Sequence, residues 1–326
     1  MGEKEIKESK ERRNKGRKRE RKKLKRKKRK RKKKMKLRNL VKIVEVGARD
    51  GLQNERKILG WNVKNKFIDY LTKSGIREIE SGSFVSSKMV PQMGDSEEVL
   101  KNIKRKKGTV YSALVPNIKG LEKALESKSD KINFFTSASE TFSKKNTNCN
   151  IDESLNRLSQ IKQNLDLYNK SNDKYIPLRV YISCISGCPY EGHVAISNIV
   201  ELVNLLHNKF NVDDICLADT IGCGTPETTQ KLLDSIKIPK SKLSVHFHNN
   251  NGLALNNIEV CLHSGITSID SSVGGLGGCP FAKIASGNID TLSVVSLCNR
   301  LGFNTGISLY NLHLASNYIR HQLSLH

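Results

Sequence analysis

His246-Phe247-His248 is the most informative unit in the sequence. Alternate residues of a β-strand point to the same face, so in a strand both imidazoles would reach one point in space. Such a pair either ligates a cation or hydrogen-bonds to its surroundings, and the spacing alone allows both. Asp50, in Gly47-Ala48-Arg49-Asp50-Gly51, could add a carboxylate. That mixed nitrogen and oxygen set suits Mg2+ or Mn2+ acting as a Lewis acid, with Zn2+ less favoured, and needs no thiolate. Arg49 stays charged and donates in a fixed fork, so it could neutralise a developing enolate oxygen or simply pair with Glu80. The two roles are compatible, because a carboxylate can orient the arginine. Asp219 serves either as a site carboxylate or in the cap region of the helix that follows Thr220-Ile221-Gly222-Cys223-Gly224-Thr225-Pro226. Cys279 sits in Gly274-Gly275-Leu276-Gly277-Gly278-Cys279-Pro280, and it is either a thiol that arrives with substrate on a mobile loop or an incidental cysteine in a glycine-rich turn.

These residues need elements to hold them. Eight short apolar runs, at 41–47, 76–81, 110–115, 131–137, 178–184, 213–219, 242–248 and 266–272, read as strands. Segments with apolar positions three and four apart lie between them, and Gly75 supplies a stop signal for the first. The alternation predicts an α/β fold, a closed parallel (β/α)8 TIM barrel with extra C-terminal helices, over an open doubly wound sheet. A barrel should carry its functional groups at the C-terminal ends of its strands. Arg49, Asp50, Glu80, Asp219, His246, His248 and the glycine loop all meet that demand. In a closed barrel only the eighth strand separates the first from the seventh, which would bring Asp50 beside the histidines.

The formal charge of +25 is unevenly placed. Residues 1–38 hold 24 of the 57 Lys+Arg and 5 of the 32 Asp+Glu, a net of +19, which leaves +6 for the other 288 residues. We therefore divide the chain into a disordered Lys/Arg-rich tail, 1–38, and one barrel domain, 39–326, close to the roughly 250 residues typical of such barrels. The tail fits a polyanion or an import receptor. It has no aromatic residues for base stacking. Its lysine-dominated composition also differs from an Arg- and Ser-rich mitochondrial presequence. No run approaches the roughly 20 apolar residues of a membrane helix, and no apolar segment opens the chain as a secretory signal would. The eight cysteines lack CxxC units and read as reduced thiols. Cys184 and Cys188 read as buried small residues at a strand end.

Taken together, residues 41–55 (VKIVEVGARDGLQNE), SGSFVSSKMVPQMGD, SASETFSKKNTNCNIDES, GCPYEG, LADTIGCGTP, HFHNNNGLALNN and SVGGLGGCPFAKIASGN resemble, in order, the motifs of the hydroxymethylglutaryl-CoA lyase family. The resemblance spans residues 39 to about 310. It implies a TIM barrel that cleaves 3-hydroxy-3-methylglutaryl-CoA to acetoacetate and acetyl-CoA with a divalent cation, in leucine degradation and ketone-body formation. It implies metal ligation by Asp50, His246, His248 and Asn288, and catalytic roles for Arg49, Cys279, Glu80, Asp219 and His246. Asp50 and His246 both stand as candidate bases. It also implies an acyl-CoA substrate and a mitochondrial location, with the cytoplasm as the alternative; a homodimer is a separate expectation.

Some positions depart from the family pattern. Ala48 replaces a proline, Phe281 a tyrosine and Ile284 a glycine, while Asn249-Asn250-Asn251 replace Asp-Thr-Tyr and Leu292-Ser293 replace an acidic pair. Two alternatives remain at this level: a related Claisen-type condensing enzyme, and a catalytically impaired barrel with a polyanion-binding tail.

Overall fold

The computed structural model describes residues 40–277 and 287–324. Eight parallel strands close into a barrel in chain order. They are β1 (Lys42–Glu45), β2 (Glu78–Ser83), β3 (Val110–Leu114), β4 (Lys131–Ser137), β5 (Leu178–Ser183), β6 (Asp214–Asp219), β7 (Leu243–Phe247) and β8 (Ser268–Ser271). Closure comes from β1 against β8, where Ile43 faces Ile269 and Val44 faces Asp270. The open-sheet alternative is thereby excluded. All eight expected strands are present, with ends displaced by up to two residues. Most strand residues are buried, because the helices cover one face while the barrel interior covers the other.

The helices are α1 (Trp61–Ser74), α2 (Ser96–Asn102), α3 (Ile118–Glu126), α4 (Glu140–Thr147), α5 (Ile151–Ser171), α6 (Ile196–Asn208), α7 (Pro226–Ser235), α8 (Ala254–His263), α9 (Thr291–Arg300) and α10 (Leu309–Ser324). In α1 the apolar residues Phe67, Ile68 and Leu71 turn to the core, and Gly75 ends the helix at φ +101. A side chain on Gly75 would also stand 2.6 Å from the Gly306 carbonyl oxygen. The expected C-terminal additions are α9 and α10, the latter resting on α1 with the Tyr70 and Tyr318 rings 5.1 Å apart. Among the described residues no helix is long and apolar enough to cross a membrane.

The lower barrel interior holds a belt of charges where branched apolar residues usually dominate. Lys42 pairs with Glu78 at 2.9 Å, Lys131 bridges Glu78 and Asp214 at 2.8 and 3.0 Å, and Arg179 meets Asp270 at 2.6 Å. Burial opposes the charge on Glu78, but Lys131 and Lys42 outweigh it and hold the carboxyl down at about 2. Such a belt folds only if every charge finds a partner, since an unpaired buried ion costs several kcal/mol.

Candidate active site

The first strand does not run into an irregular loop. Residues Gly47–Gly51 form a single π-helical turn in which the Arg49 and Gly51 amides both donate to the Val46 carbonyl at 3.1 Å. That turn places Arg49 and Asp50 side by side at the barrel's C-terminal rim. His246 lies within β7 and His248 immediately follows it. After β8 the chain returns so that Asn288 forms an antiparallel bridge with His248, and the Ile289 amide bonds to the Phe247 carbonyl at 3.2 Å. Gly277, at φ +90, permits this return. A β-carbon there would stand 2.7 Å from the Asp50 carbonyl oxygen and 2.9 Å from the Asn288 amide nitrogen.

Asp50, His246 and His248 converge, with one ligand atom of each within 4.8 Å of the others. Asp50 Oδ2 is 3.9 Å from Nε2 of both histidines. Asn288 Nδ2 donates to the same Oδ2 at 2.7 Å, while its amide oxygen is buried without a partner among the described residues. Two imidazoles, one carboxylate and an unsatisfied amide oxygen fit a divalent cation, which would gain only one formal negative charge from them. Burial opposes ionisation of Asp50, but the neighbouring Arg49 more than reverses this and holds its carboxyl well below the usual range.

Arg49 is fixed from two sides. Its Nε and Nη2 reach Glu80 Oε2 at 2.7 and 2.5 Å, and Nη1 reaches Asp50 Oδ1 at 2.5 Å. Burial disfavours its charge, but Glu80 and Asp50 overcome that and keep the guanidinium protonated. Glu80 Oε1 in turn accepts from Asn133 Nδ2 at 2.8 Å. The expected position of Glu80 needs correction: it is the third residue of β2, fully buried, and the strand continues to Ser83. A register shift between Glu80 and Gly82 accompanies it.

Asp219 ends β6 as expected, yet the helix cap of α7 is Thr225, through a capping box with Thr228. Asp219 instead accepts from the backbone amides of Cys223 at 3.3 Å and Gly224 at 2.8 Å, holding the loop after β6. Burial raises its pKa above the usual carboxylate value, against the pull of those amides. Cys279 lies outside the described residues, as do Phe281, Ile284 and the tail. Cys184 and Cys188 are buried free thiols, as the sequence suggested.

A cavity of about 970 Å³ opens over the site. Arg49, Asp50, His246 and His248 line it, while Glu80 and Asp219 do not. Its walls also carry Tyr181 and the cations Lys144, Lys145 and Arg157. Sequence reasoning assigned none of these four. The signal was available, since α4 begins soon after the C-terminal end of β4, where barrel function concentrates.

Two family departures have local explanations. Asn249 Oδ1 accepts from the Ala254 amide at 3.3 Å, a bond that a carboxylate oxygen would also make. Ser293 donates through both its amide and hydroxyl to Asp290 Oδ2 at 3.0 Å, capping α9.

Glu45 gives a pH prediction. Burial pushes its carboxyl up to about 7, against hydrogen bonds from Thr291, Val273 and Gly47. A folded value above the unfolded one means that Glu45 opposes folding increasingly as pH rises from about 4.5 to 7. Glu45→Gln removes that penalty, with an upper bound of about 3 kcal/mol. Urea unfolding should therefore show a smaller stability loss between pH 5 and 8 in the variant, using about these pH values to bracket the transition. Equal slopes in both proteins would refute the assignment.

A closed (β/α)8 barrel with an Asp/His/His cluster and a clamped arginine at its C-terminal rim has the architecture of a metal-assisted barrel enzyme. The HMGL-like family model matches residues 40–319, and the chain belongs to that family. A human relative, the cytoplasmic 3-hydroxy-3-methylglutaryl-CoA lyase, is 44% identical over 285 residues, which cover 87% of this chain and 75% of the relative. The HMG-CoA lyase structure from Brucella melitensis superposes with a TM-score of 0.83 at 42% identity, covering 88% of this chain and 100% of that one. The Acinetobacter baumannii HMG-CoA lyase in complex with coenzyme A and 3-methylmalate superposes with a TM-score of 0.81 at 33% identity, covering 88% and 92%.

Proposed function

We propose that this protein cleaves 3-hydroxy-3-methylglutaryl-CoA to acetoacetate and acetyl-CoA. The observation that carries this reading is the placement of Arg49, Asp50, His246 and His248 on the wall of one cavity. Asp50, His246, His248 and the Asn288 amide oxygen would hold a divalent cation, Mg2+ or Mn2+ before Zn2+, which when bound supplies Lewis acidity toward the substrate hydroxyl.

The substrate's hydroxyl proton leaves, the carbon-carbon bond breaks, and its electrons pass to the acetyl-CoA enolate. Asp50 and His246 are the two candidates to receive that proton, and His246 can do so only while its Nε2 is not bound to the cation. Arg49 presents fixed positive charge to the enolate oxygen, and its clamp by Glu80 removes the need to reorganise as charge develops. Glu80 and Asp219, behind the cavity wall, act by holding Arg49 and the loop after β6. Cys279 completes the reaction by protonating the enolate carbon. An ordinary thiol is mostly protonated at neutral pH, so this step needs no special tuning. Lys144, Lys145 and Arg157 supply positive charge suited to the phosphates of an acyl-CoA. Curated relatives carry both cytoplasmic and mitochondrial names.

A coupled assay for acetoacetate release, with chelated enzyme and after adding Mg2+ or Mn2+, tests the proposal. Metal-dependent release is the expected result. Condensation of acetyl-CoA with a 2-oxo acid, without acetoacetate release, would identify the Claisen-type alternative instead. Cys279→Ala should lower turnover about a hundredfold, the scale of general acid catalysis, with Mn2+ affinity unchanged. Wild-type turnover in that variant would remove Cys279 from the mechanism.

A further inference from the structure

We propose that Asp270, oriented by Arg179, is a positioning residue that fixes the His246 imidazole with its proton on Nδ1, leaving the Nε2 lone pair turned toward the cation site. This rests on the metal-site reading above. Asp270 lies within β8 and is 1% exposed. Its Oδ2 is 3.3 Å from His246 Nδ1, and its Oδ1 accepts from Arg179 Nη2 at 2.6 Å. Arg179 Nη2 also donates to Ser244 Oγ at 2.9 Å, and that hydroxyl donates to Asp214 Oδ1 at 2.6 Å. The Arg179 guanidinium is fully buried and lies 4.7 Å from the centre of the Tyr181 ring.

The consequence follows from donor and acceptor inventory. A carboxylate paired with a guanidinium has only acceptor oxygens, so the ring nitrogen facing it must donate. A neutral imidazole with its proton on Nδ1 has its lone pair on Nε2. In this structure that atom is 3.9 Å from Asp50 Oδ2, on the side where the donor groups converge. A carboxylate behind a ligating histidine also fixes ring direction and raises ligand basicity. His248 differs, because its Nδ1 is buried without a hydrogen-bond partner among the described residues. The two imidazoles are thus unequal: one is held by the barrel interior, the other only at its rim.

This assignment gives the upper end of the charged belt a use beyond satisfying its own members. It also explains an aspartate in the middle of Ser268-Ile269-Asp270-Ser271, where a small apolar residue would pack more simply.

Long-range 1H-15N spectra of metal-free protein labelled at histidine, recorded near pH 8.5 where ordinary imidazoles are neutral, test the tautomer without a variant. His246→Gln assigns the signal. A proton on Nδ1 of His246 supports the proposal, and a proton on Nε2 overturns it. Mn2+ titration followed by electron paramagnetic resonance then compares wild type with Asp270→Asn. The carboxamide can donate to Nδ1 and move the ring proton to Nε2, so affinity should fall about 10- to 100-fold. Wild-type affinity in folded Asp270→Asn overturns the positioning role. Failure of wild-type protein to bind Mn2+ would instead defeat the metal-site reading, while the tautomer spectrum would still be decided. If Asp270→Asn does not fold, the wild-type spectrum remains the deciding measurement.

Discussion

Arg49→Lys should lower kcat by on the order of a hundredfold or more, with little change in thermal stability. The reason lies in how the charge is held rather than in its sign. Arg49 spends Nε and Nη2 on Glu80 and Nη1 on Asp50, so three directed bonds set the plane of its guanidinium. A lysine ammonium keeps the positive charge that Glu80 needs but has no planar fork, and it cannot keep all three directions from one atom. The enolate oxygen would then meet a charge that must reorganise during the reaction. Arg49→Met should be worse in a second way. Glu80 is 0% exposed, and an unpaired carboxylate there costs about 3–5 kcal/mol. Adding Glu80→Gln to Arg49→Met should recover most of that stability and none of the turnover. Steady-state kinetics at saturating metal, with calorimetry on the same samples, separate the two effects. An Arg49→Lys enzyme with kcat within about threefold of wild type would contradict the role, since lost directed electrostatic stabilisation is worth far more.

The sequence announces the barrel because its strands are short apolar runs at regular intervals, and closure follows from burying them on both faces. It announces Asp50, His246 and His248 because period-two spacing and strand adjacency are local rules. Glu80 was read correctly as the partner of Arg49 but misplaced along β2, since the register shift near Gly82 depends on pairing with β3 rather than on sequence pattern. The π-turn at Gly47–Gly51 was hidden for a similar reason: its geometry is set by what the Val46 carbonyl receives. The charged belt left isolated signs at Lys131, Arg179 and Asp270 within otherwise apolar strands. Which lysine meets which carboxylate depends on barrel register, because partners such as Lys131 and Glu78 are 53 residues apart. Asn288 was reached by family resemblance alone. No spacing rule connects it with His248, and only the return of the chain beside β7 brings the two together.

Asp50→Asn should reduce Mn2+ affinity by more than about a hundredfold, beyond the effect expected for Asp270→Asn, whose carboxylate acts from behind a ligand. Asp50 supplies the sole carboxylate in the converging group of described residues, so its replacement leaves only neutral donors for a divalent cation. The substitution preserves shape, but it also weakens the Arg49 clamp at Nη1 and allows the new side-chain nitrogen to face the Asn288 amide nitrogen. Activity should therefore remain low even when metal is in excess. The same substitution has a pH signature with a definite sign. Because Arg49 holds the Asp50 carboxyl well below its unfolded value, wild-type Asp50 contributes stability above the ordinary carboxylate range and loses it as pH falls through the depressed folded value. Asp50→Asn should be less stable than wild type near neutrality, with the difference shrinking toward strong acid. Isothermal titration with Mn2+ and urea unfolding across the acid range measure the two consequences separately. Intact Mn2+ affinity would remove Asp50 from the cation site, whereas a stability difference that grows in acid would contradict its pairing with Arg49.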